Sequence, residues 1–383
     1  MNRPVRLLTA VPICDGHDSA ISTLNLEFIR NGFEVIYLGF HRPVTDIARA
    51  AIQEDVTAVG ISSYNGGHVE FFREVRREMD RRGGGHIGLF GGGGGTISEA
   101  EARVMRRQGT DEIFFAGTPL ATMTRFVEKT YGRPRRRARA VNADSRLAAR
   151  LTAIEDGRTT PLANARGSER LFRAATVRER SEAVAVIGFT GPGGAGKTTL
   201  IDELVLRFLN ARPDGRVAIL SHDPSMVGAG ALLGDRAMMI HSQHDRVFMR
   251  SFATRGRAGG LASATERCLD LLLHQGFEMI LVETVGTGQE AMPFRDGLFD
   301  RKVLVMNPDY GARLQLQKVM MLDAADIVVL NKSDRPLAKA AQAEIGHRLE
   351  QNGRGQKLVS TEARRHRDPG VDQLFQMLMG AGR

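Results

Sequence analysis

The chain has 383 residues, 42% of them hydrophobic and 25% charged, which suits two or three soluble domains with cores of their own. No apolar run reaches the roughly twenty residues that a membrane helix needs. We therefore expect no membrane partner. The two cysteines form no C-x-x-C pair, so we expect reduced thiols in a cytoplasmic protein. The net charge of +9 is concentrated in residues 131–182, where thirteen Arg stand against six acidic residues. No aromatic residues alternate with the run from Gly132 to Arg139, so we predict no nucleic-acid partner.

Residues 4–131 alternate short apolar runs with amphipathic stretches. Five runs are predicted strands: Val5–Ile13, Phe33–Leu38, Val56–Ile61, His86–Phe90 and Glu112–Phe115. Apolar strands separated by helices favour a parallel sheet that is covered on both faces. Five such units in about 130 residues are typical of a flavodoxin-like fold. We therefore place the first α/β, doubly wound domain at residues 1–131.

Three polar or glycine-rich segments follow strands of this domain. Asp15 and His17 come after the first strand, Ser62 and Ser63 end the third, and a glycine run from Gly91 to Gly95 ends the fourth. Doubly wound sheets bind ligands at the carboxyl edge of their strands, so we expect the three segments to converge there. A neutral imidazole can ligate a metal while a carboxylate accepts its other ring N–H. The predicted contacts are Asp15, His17, Ser62, Ser63, Gly91, Gly92 and Gly93.

Residues 132–182 do not continue the alternation of apolar runs and amphipathic stretches, and we interpret them as an Arg-rich linker. Leu147, Leu151 and Ile154 have helical spacing, which indicates one short helix. Residues 159–168 are typical of a loop or insertion. The β/α pattern returns in residues 183–383, which we predict to be a second doubly wound domain. Its predicted strands are Val184–Thr190, Val217–Ser221, Met279–Val282, Val303–Asn307 and Ile327–Asn331.

A glycine-rich sequence of the form G-x-x-x-x-G-K-T follows the first strand of the second domain and opens a helix. Glycines there let backbone N–H groups converge on phosphate oxygens, and the helix N-terminus adds positive potential. Lys197 would bridge the β- and γ-phosphates, and the Thr198 hydroxyl would complete a magnesium shell. The predicted contacts are Gly191, Gly193, Gly194, Ala195, Gly196, Lys197, Thr198 and Thr199.

The sequence Asn331-Lys332-Ser333-Asp334 follows a later strand of the same domain. A carboxylate at Asp334 can accept two hydrogen bonds, from the ring N–H and the amino group of guanine, whereas adenine offers no such pair. Paired with the phosphate-binding loop, this motif indicates GTP. Asn331, Lys332 and Asp334 are the predicted base-site residues.

Two further segments, Asp223-Pro-Ser225 and Glu283-Thr-Val-Gly286, each end an apolar strand. Together with Asp235 and the two nucleotide motifs, they resemble the MeaB/ArgK family of G-protein chaperones. The resemblance implies that Asp223, Asp235 and Glu283 surround magnesium and the attacking water, with Thr198 completing the shell. It implies Lys197, Glu283 and Asp235 as catalytic residues. The stretch from Asp223 to Asp235 is one residue shorter than the family pattern.

The first domain resembles the cobalamin-binding domain of adenosylcobalamin-dependent acyl-CoA mutases, whose pattern is D-x-H-x-x-G, S-x-L and G-G. Ala20 replaces the glycine and Tyr64 the leucine. Both variants are similar to the fused isobutyryl-CoA mutase branch, in which a cobalamin domain, a linker and a MeaB-like G domain follow in this order. The resemblance implies adenosylcobalamin, GTP and magnesium as cofactors, with His17 as the cobalt ligand.

Fused mutases of this family continue into a barrel that binds acyl-CoA, and this sequence ends at Arg383. We therefore expect a GTPase that loads or gates adenosylcobalamin for an acyl-CoA mutase subunit on another chain, without isomerase activity of its own. Two alternatives stay open: a cobalamin carrier or sensor with a regulatory nucleotide site, and a truncated remnant of a fused mutase. Self-association as a homodimer is left open as well.

Overall fold

The computed structural model describes residues 4–13, 15, 19–133, 142–158, 184–226, 229–286, 297–310 and 320–380. The chain divides into two compact units. The first contains residues 1–158, 223–237 and 249–256, and the second contains residues 159–222, 238–248 and 257–383. The domain boundaries predicted at residues 131 and 183 stay a proposal.

The strands of the described residues are numbered in chain order. They are β1 (Arg6–Ala10), β2 (Glu34–Tyr37), β3 (Ala58–Ser62), β4 (Gly88–Gly92), β5 (Glu112–Phe114), β6 (Ala185–Thr190), β7 (Val217–Asp223), β8 (Ala231–Leu233), β9 (Val247–Ala253), β10 (Met279–Glu283), β11 (Arg301–Met306), β12 (Ile327–Asn331) and β13 (Lys357–Thr361).

The helices of the described residues are numbered likewise. They are α1 (Ser19–Arg30), α2 (Val44–Gln53), α3 (His68–Arg81), α4 (Glu99–Arg107), α5 (Leu120–Tyr131), α6 (Ala143–Glu155), α7 (Lys197–Ala211), α8 (Asp235–Met238), α9 (Thr265–Leu273), α10 (Met320–Ala324), α11 (Ala338–Asn352) and α12 (Pro369–Met379). In the part of the chain that the structure describes, no helix is long and apolar enough to cross a membrane.

Local sequence explains where several helices begin. The Ser98 hydroxyl accepts from the Glu101 backbone N–H at the start of α4, and Glu101 bonds back to the Ser98 backbone, forming a capping box. Asn142 and Ser145 form the same arrangement before α6. Asp368 caps α12, whose first residue is a proline. These contacts satisfy backbone N–H groups that have no partner within a helix.

The first unit is built on a parallel sheet with the strand order β5-β4-β3-β1-β2-β8. Its first five strands follow the flavodoxin-like order, and this confirms the predicted fold class. The five residues of β1 are all buried, and Leu8 pairs with Ile36 of β2 and Val59 of β3. The sixth strand, β8, comes from a segment far along the chain and was not predicted.

A buried ion network lies in the first unit beside this sheet. Glu54 is fully buried and accepts from Arg6 at 2.7 Å and from Arg236 at 3.2 Å. Arg250 donates to the Glu54 backbone carbonyl at 2.6 Å and to the Glu155 carboxylate. Burial alone would raise the pKa of Glu54, but Arg236, Arg6 and Arg250 outweigh it and hold that pKa below its usual range. The network ties together segments that are distant in sequence.

The second unit carries a seven-stranded sheet with the order β13-β12-β11-β6-β10-β7-β9. Strand β6 is central and pairs in parallel with β10 and β11. Ser221 of β7 and Phe189 of β6 both lie opposite Glu283, the last residue of β10. The loops that follow these strands therefore leave the sheet at a common edge.

All ten predicted strands are present, with ends shifted by a few residues. Strands β8, β9 and β13 were not predicted, because β8 has only three residues while the other two include polar or charged residues such as Arg250 and Lys357. The helix predicted around Leu147, Leu151 and Ile154 is α6. The predicted loop at 159–168 lies outside the described residues.

Candidate functional site

The phosphate-binding loop runs from the end of β6 into α7. Gly194 and Gly196 have φ angles of 76° and 91°, in the left-handed region that glycine adopts without strain. A Cβ on Gly191 would lie 2.0 Å from the Val305 carbonyl oxygen, and one on Gly196 would lie 2.4 Å from Nδ2 of Asn331. At these three positions the fold itself requires glycine. Such successive turns make a concave set of backbone N–H groups that suits a phosphate.

Lys197 and Thr198 open α7 beside the last residue of β10. The Lys197 ammonium donates to the carbonyl oxygen of Gly191 at 3.1 Å, so the buried side chain folds back over its own loop. The Thr198 hydroxyl donates to Oε1 of Glu283 at 2.8 Å. The structure thus brings together three of the residues predicted for phosphate, magnesium and catalysis. A hydroxyl and a carboxylate at this distance suit magnesium, which prefers oxygen ligands.

The base-site motif holds the phosphate-binding loop in place. Asn331 Nδ2 donates to the carbonyl oxygen of Ala195 at 2.9 Å, and Lys332 Nζ donates to that of Gly194 at 2.6 Å. Lys332 itself has a left-handed backbone with φ of 60°. Because two loop carbonyls are taken up by these side chains, the loop amides keep their orientation toward a ligand. The two nucleotide motifs are therefore one structural site.

Asp334, the predicted reader of guanine, lies three residues beyond β12. Its Oδ2 accepts a hydrogen bond from Nη2 of Arg364 at 2.8 Å. The remaining predicted residues Gly193 and Thr199 lie in the phosphate loop and the first turn of α7, and open space surrounds the Gly193 Cβ position. No sequence motif assigned a role to Arg364.

Asp223 and Asp235, the other predicted magnesium residues, belong to the first unit. Burial and then the neighbouring Asp235 carboxylate raise the pKa of Asp223 to about 8. The Asp223 Oδ2 atom is buried and accepts no hydrogen bond from the described residues. A bound cation would offset the repulsion between the two carboxylates and give the buried Asp223 Oδ2 atom a partner. In the described ranges no group of three or more His, Cys, Asp or Glu is arranged to hold a metal ion, so the four magnesium ligands stay a prediction.

The carboxyl edge of the first sheet carries the other predicted site. Asp15 is buried, and its Oδ2 accepts the backbone N–H of Asn65 at 3.2 Å and that of Tyr64. The carboxylate therefore fixes the loop after β3. The Ser63 backbone N–H donates to the Gly92 carbonyl oxygen at 2.8 Å. His17, the predicted cobalt ligand, lies outside the described residues.

The glycine run lies directly against neighbouring backbone. Built Cβ atoms on Gly91, Gly92 and Gly93 would lie 2.3, 2.5 and 1.8 Å from the carbonyl oxygens of Ile61, Phe114 and Ser63. Such distances are far inside van der Waals contact, so larger residues cannot occupy these positions without moving the strands. The glycines are required by sheet packing as well as by any ligand.

A cavity of about 480 Å³ opens beside this run in the first unit. Its walls are predominantly apolar and come from α1, the ends of β3, β4 and β5, and the start of α5. Among the lining residues are Ile21, Ser62, Tyr64, Phe90, Gly92 and Leu120. The volume falls in the range of pockets that bind small molecules and cofactors. Of the predicted contacts, Ser62, Gly91, Gly92 and Gly93 line this cavity.

Two family models match the chain. A family model described as methylmalonyl Co-A mutase-associated GTPase MeaB matches residues 147–378. The chain belongs to the MeaB family. A second model, described as a B12 binding domain, matches residues 5–121. A MeaB-type GTPase is thus preceded on the same chain by a cobalamin-binding fold.

Two similar relatives are named fused isobutyryl-CoA mutase. The protein from Cupriavidus metallidurans is 36% identical over 397 residues, and the one from Geobacillus kaustophilus is 36% identical over 406 residues. Each alignment covers 98% of this chain and 36% of the relative. A mouse relative, named methylmalonic aciduria type A homolog, mitochondrial, is 33% identical over 65% of this chain and 55% of its own length. This MeaB family member therefore spans about a third of the length of its fused relatives.

Sequence reasoning missed three contributors to the nucleotide site of this MeaB family member. His222 is buried and bonds the Glu283 carbonyl oxygen through Nδ1 at 2.8 Å. Thr361, the last residue of β13, and Ala363 just beyond it donate to Oδ1 of Asn331, each at 3.1 Å. The sequence feature that could have indicated Thr361 and Ala363 is the polar Ser-Thr-Glu-Ala stretch after an apolar run. This stretch has no distinctive residue spacing, so it predicts no particular site.

Proposed function

We propose that this chain is a cobalamin-binding GTPase that loads or gates adenosylcobalamin for an acyl-CoA mutase whose substrate barrel is on another chain. The observation that carries the proposal is the phosphate-binding loop locked to a base-site motif, on a chain whose first unit has a glycine-walled cavity at its sheet edge. The names of the fused relatives support an acyl-CoA substrate of the isobutyryl or methylmalonyl type for the assembled system.

On the nucleotide side, the loop amides and Lys197 would bind the phosphates of GTP and offset their charge. Thr198 and Glu283 would hold magnesium, which neutralises charge on the phosphates when bound, and Asp223 and Asp235 are its further proposed ligands. Glu283, with Asp235, would orient the attacking water. Asp334 would accept the two guanine N–H groups, which gives preference for GTP over ATP.

On the cobalamin side, His17 would ligate cobalt, and Asp15 fixes the loop after β3, whose Tyr64 lines the cavity. The cavity would accept the nucleotide tail of the cofactor between sheet and helices, because the lining glycines leave no side chain in its path. Adenosylcobalamin would supply the radical chemistry when bound, and the residues that line the cavity would bind and orient its tail.

The nucleotide assignment is tested by GTP and ATP hydrolysis assays on the full chain. We expect turnover of GTP over ATP, and we expect Asp334→Asn to lose that preference. Asp80→Asn is the control, because Asp80 makes its ion pair with Arg76 within α3 of the first unit, whereas the base-site motif belongs to the second unit. Equal turnover of ATP and GTP by the natural protein would contradict base recognition by Asp334.

The cobalamin assignment is tested by absorption titration with adenosylcobalamin, with and without GTP and magnesium. We expect a change from the base-off spectrum to that of a histidine-ligated cofactor, altered again by GTP. His17→Ala should keep part of the binding through the cavity and lose the ligation spectrum. If no condition changes the spectrum, cobalamin binding by this chain is wrong.

A further inference from the structure

The loops that follow β12 and β13 are locked to each other. Asn331 lies opposite Thr361 in the parallel pairing of these strands. The Ser333 backbone N–H donates to the Thr361 carbonyl oxygen at 3.0 Å, and Ala363 donates its backbone N–H to Oδ1 of Asn331 at 3.1 Å. These hydrogen bonds fix the backbone next to Asp334. As a result, Arg364 is placed next to Asp334.

Arg364 makes a charged contact with the proposed base reader. Its Nη2 lies 2.8 Å from Oδ2 of Asp334, and its Nε donates to Oε1 of Glu362 at 3.2 Å. The Arg364 side chain is 74% exposed, whereas that of Asp334 is 28% exposed. The Asp334 carboxylate is therefore partly buried, whereas the Arg364 side chain lies mostly in solvent and is free to adopt another rotamer.

A guanidinium and the edge of guanine present the same kind of donor to a carboxylate. Guanine offers a ring N–H and an amino N–H in one plane, and arginine offers a planar set of N–H groups with matching geometry. Both would donate to the Oδ2 atom of Asp334, so the guanidinium and the base compete for the same acceptor. The more completely guanine engages the carboxylate, the less room Arg364 has beside it.

We propose that Arg364 is a guanidinium latch, which occupies Asp334 in the nucleotide-free protein and is exchanged for guanine when nucleotide binds. The inference rests on the proposed function of Asp334 as the guanine reader. The latch keeps the carboxylate paired between nucleotides and slows entry of the base. Because the ion pair is largely exposed, breaking it costs little, and the latch tunes binding by no more than about fivefold.

The test measures binding of a fluorescent N-methylanthraniloyl derivative of GDP to the full chain by stopped flow. Arg364→Gln should bind up to about fivefold more tightly, through a faster association rate. Arg365→Gln removes the same charge one position away. The Arg365 side chain is exposed and makes no ion pair with the described residues, so this control should match the natural protein.

Two further measurements identify the mechanism. In an Asp334→Asn background, Arg364→Gln should have no further effect, because the partner of the latch is already gone. Raising the salt concentration should reduce the difference in nucleotide affinity between the natural protein and Arg364→Gln, since salt screens exposed ion pairs. Weaker binding by Arg364→Gln, binding equal to that of Arg365→Gln, or an effect that persists in the Asp334→Asn background would each overturn the latch.

The same data separate this inference from the function beneath it. If Asp334→Asn leaves the preference for GDP over ADP unchanged, Asp334 does not read guanine and the proposed base recognition fails. If that preference is lost but Arg364→Gln has no effect, base recognition stands and the latch alone is wrong.

Discussion

At the scale of single residues, the glycine run of the first unit combines two requirements at the same positions. A Cβ on Gly93 would lie 1.8 Å from the Ser63 carbonyl oxygen, which itself belongs to the loop that Asp15 fixes. The same glycines line the proposed cofactor cavity. Their presence alone therefore does not separate a packing role from a binding role, and substitutions must be judged by stability as well as by cofactor binding.

Gly93→Ala should lower the free energy of unfolding by about 1–3 kcal/mol, because the added methyl overlaps backbone that cannot move freely. Gly66→Ala is the matched control, since nothing lies within 4 Å of its built Cβ. Urea denaturation of both variants checks the prediction. If Gly93→Ala is as stable as Gly66→Ala, the sheet edge is less tightly packed than the structure shows.

His241 provides a pH-dependent contact in the second unit. Its Nδ1 lies 3.0 Å from Oδ2 of Asp202 in α7, and its backbone N–H donates to Oδ1 at 2.9 Å. The hydrogen bond with Asp202 raises the pKa of His241 above its usual value. A raised histidine pKa stabilises the fold fully below the unfolded value of about 6.5, and the contribution is lost as the pH rises through the folded value.

Accordingly, His241→Gln should unfold more easily than the natural protein near pH 6, and the difference should shrink as the pH is raised through the folded pKa of His241. His274→Gln is a control, because His274 is an exposed residue beyond the end of α9. Thermal unfolding across the pH range measures both. A difference that is constant with pH would show that protonation of His241 does not contribute.

At the scale of elements, the ion network around Glu54 fixes segments from three parts of the chain. Glu54→Gln keeps the shape of the side chain but leaves the buried Arg236 with an uncharged partner, whereas Arg6 keeps its ion pair with Glu34. We expect a loss of about 3–5 kcal/mol in the free energy of unfolding, because removing one side of a buried pair leaves an uncompensated charge. Exposed Glu70, in the first turn of α3, gives the control Glu70→Gln, which should change stability little.

Strand β8 depends on one glycine for its approach to β2. A Cβ on Gly230 would lie 2.3 Å from the Phe33 carbonyl oxygen and 2.5 Å from that of Ile29. Gly230→Ala should therefore weaken the pairing of β8 with β2 and raise hydrogen exchange of the backbone amides of residues 231–233. Gly234→Ala adds the same methyl where nothing lies within 4 Å, and it should leave that exchange unchanged.

At the scale of the whole molecule, the two proposed ligands should protect different stretches of the chain. Hydrogen exchange with mass spectrometry on the full chain should show GTP and magnesium protecting residues 191–199 and 331–334. Adenosylcobalamin should protect residues 60–65 and 90–94, where the cavity walls lie. Cobalamin that changes no exchange in these two stretches would place its binding elsewhere and would remove the cavity from the proposed site.

Local sequence patterns were enough to establish the class of fold and to predict the chemistry of both sites. Apolar runs that alternate with helices predicted two parallel sheets, and the glycine spacing with Lys197 and Thr198 predicted the phosphate-binding loop. Both features depend on the conformation and periodicity of neighbouring residues, so a local pattern can predict them. Which distant residues meet is seen only in the folded chain. It placed β8 beside β2, gathered Arg236 and Arg250 around Glu54, and set Arg364 against Asp334. These contacts join residues 30 to 197 positions apart. No local pattern predicts them, because burial and charge pairing depend on the packed neighbour and not on the next residue along the chain.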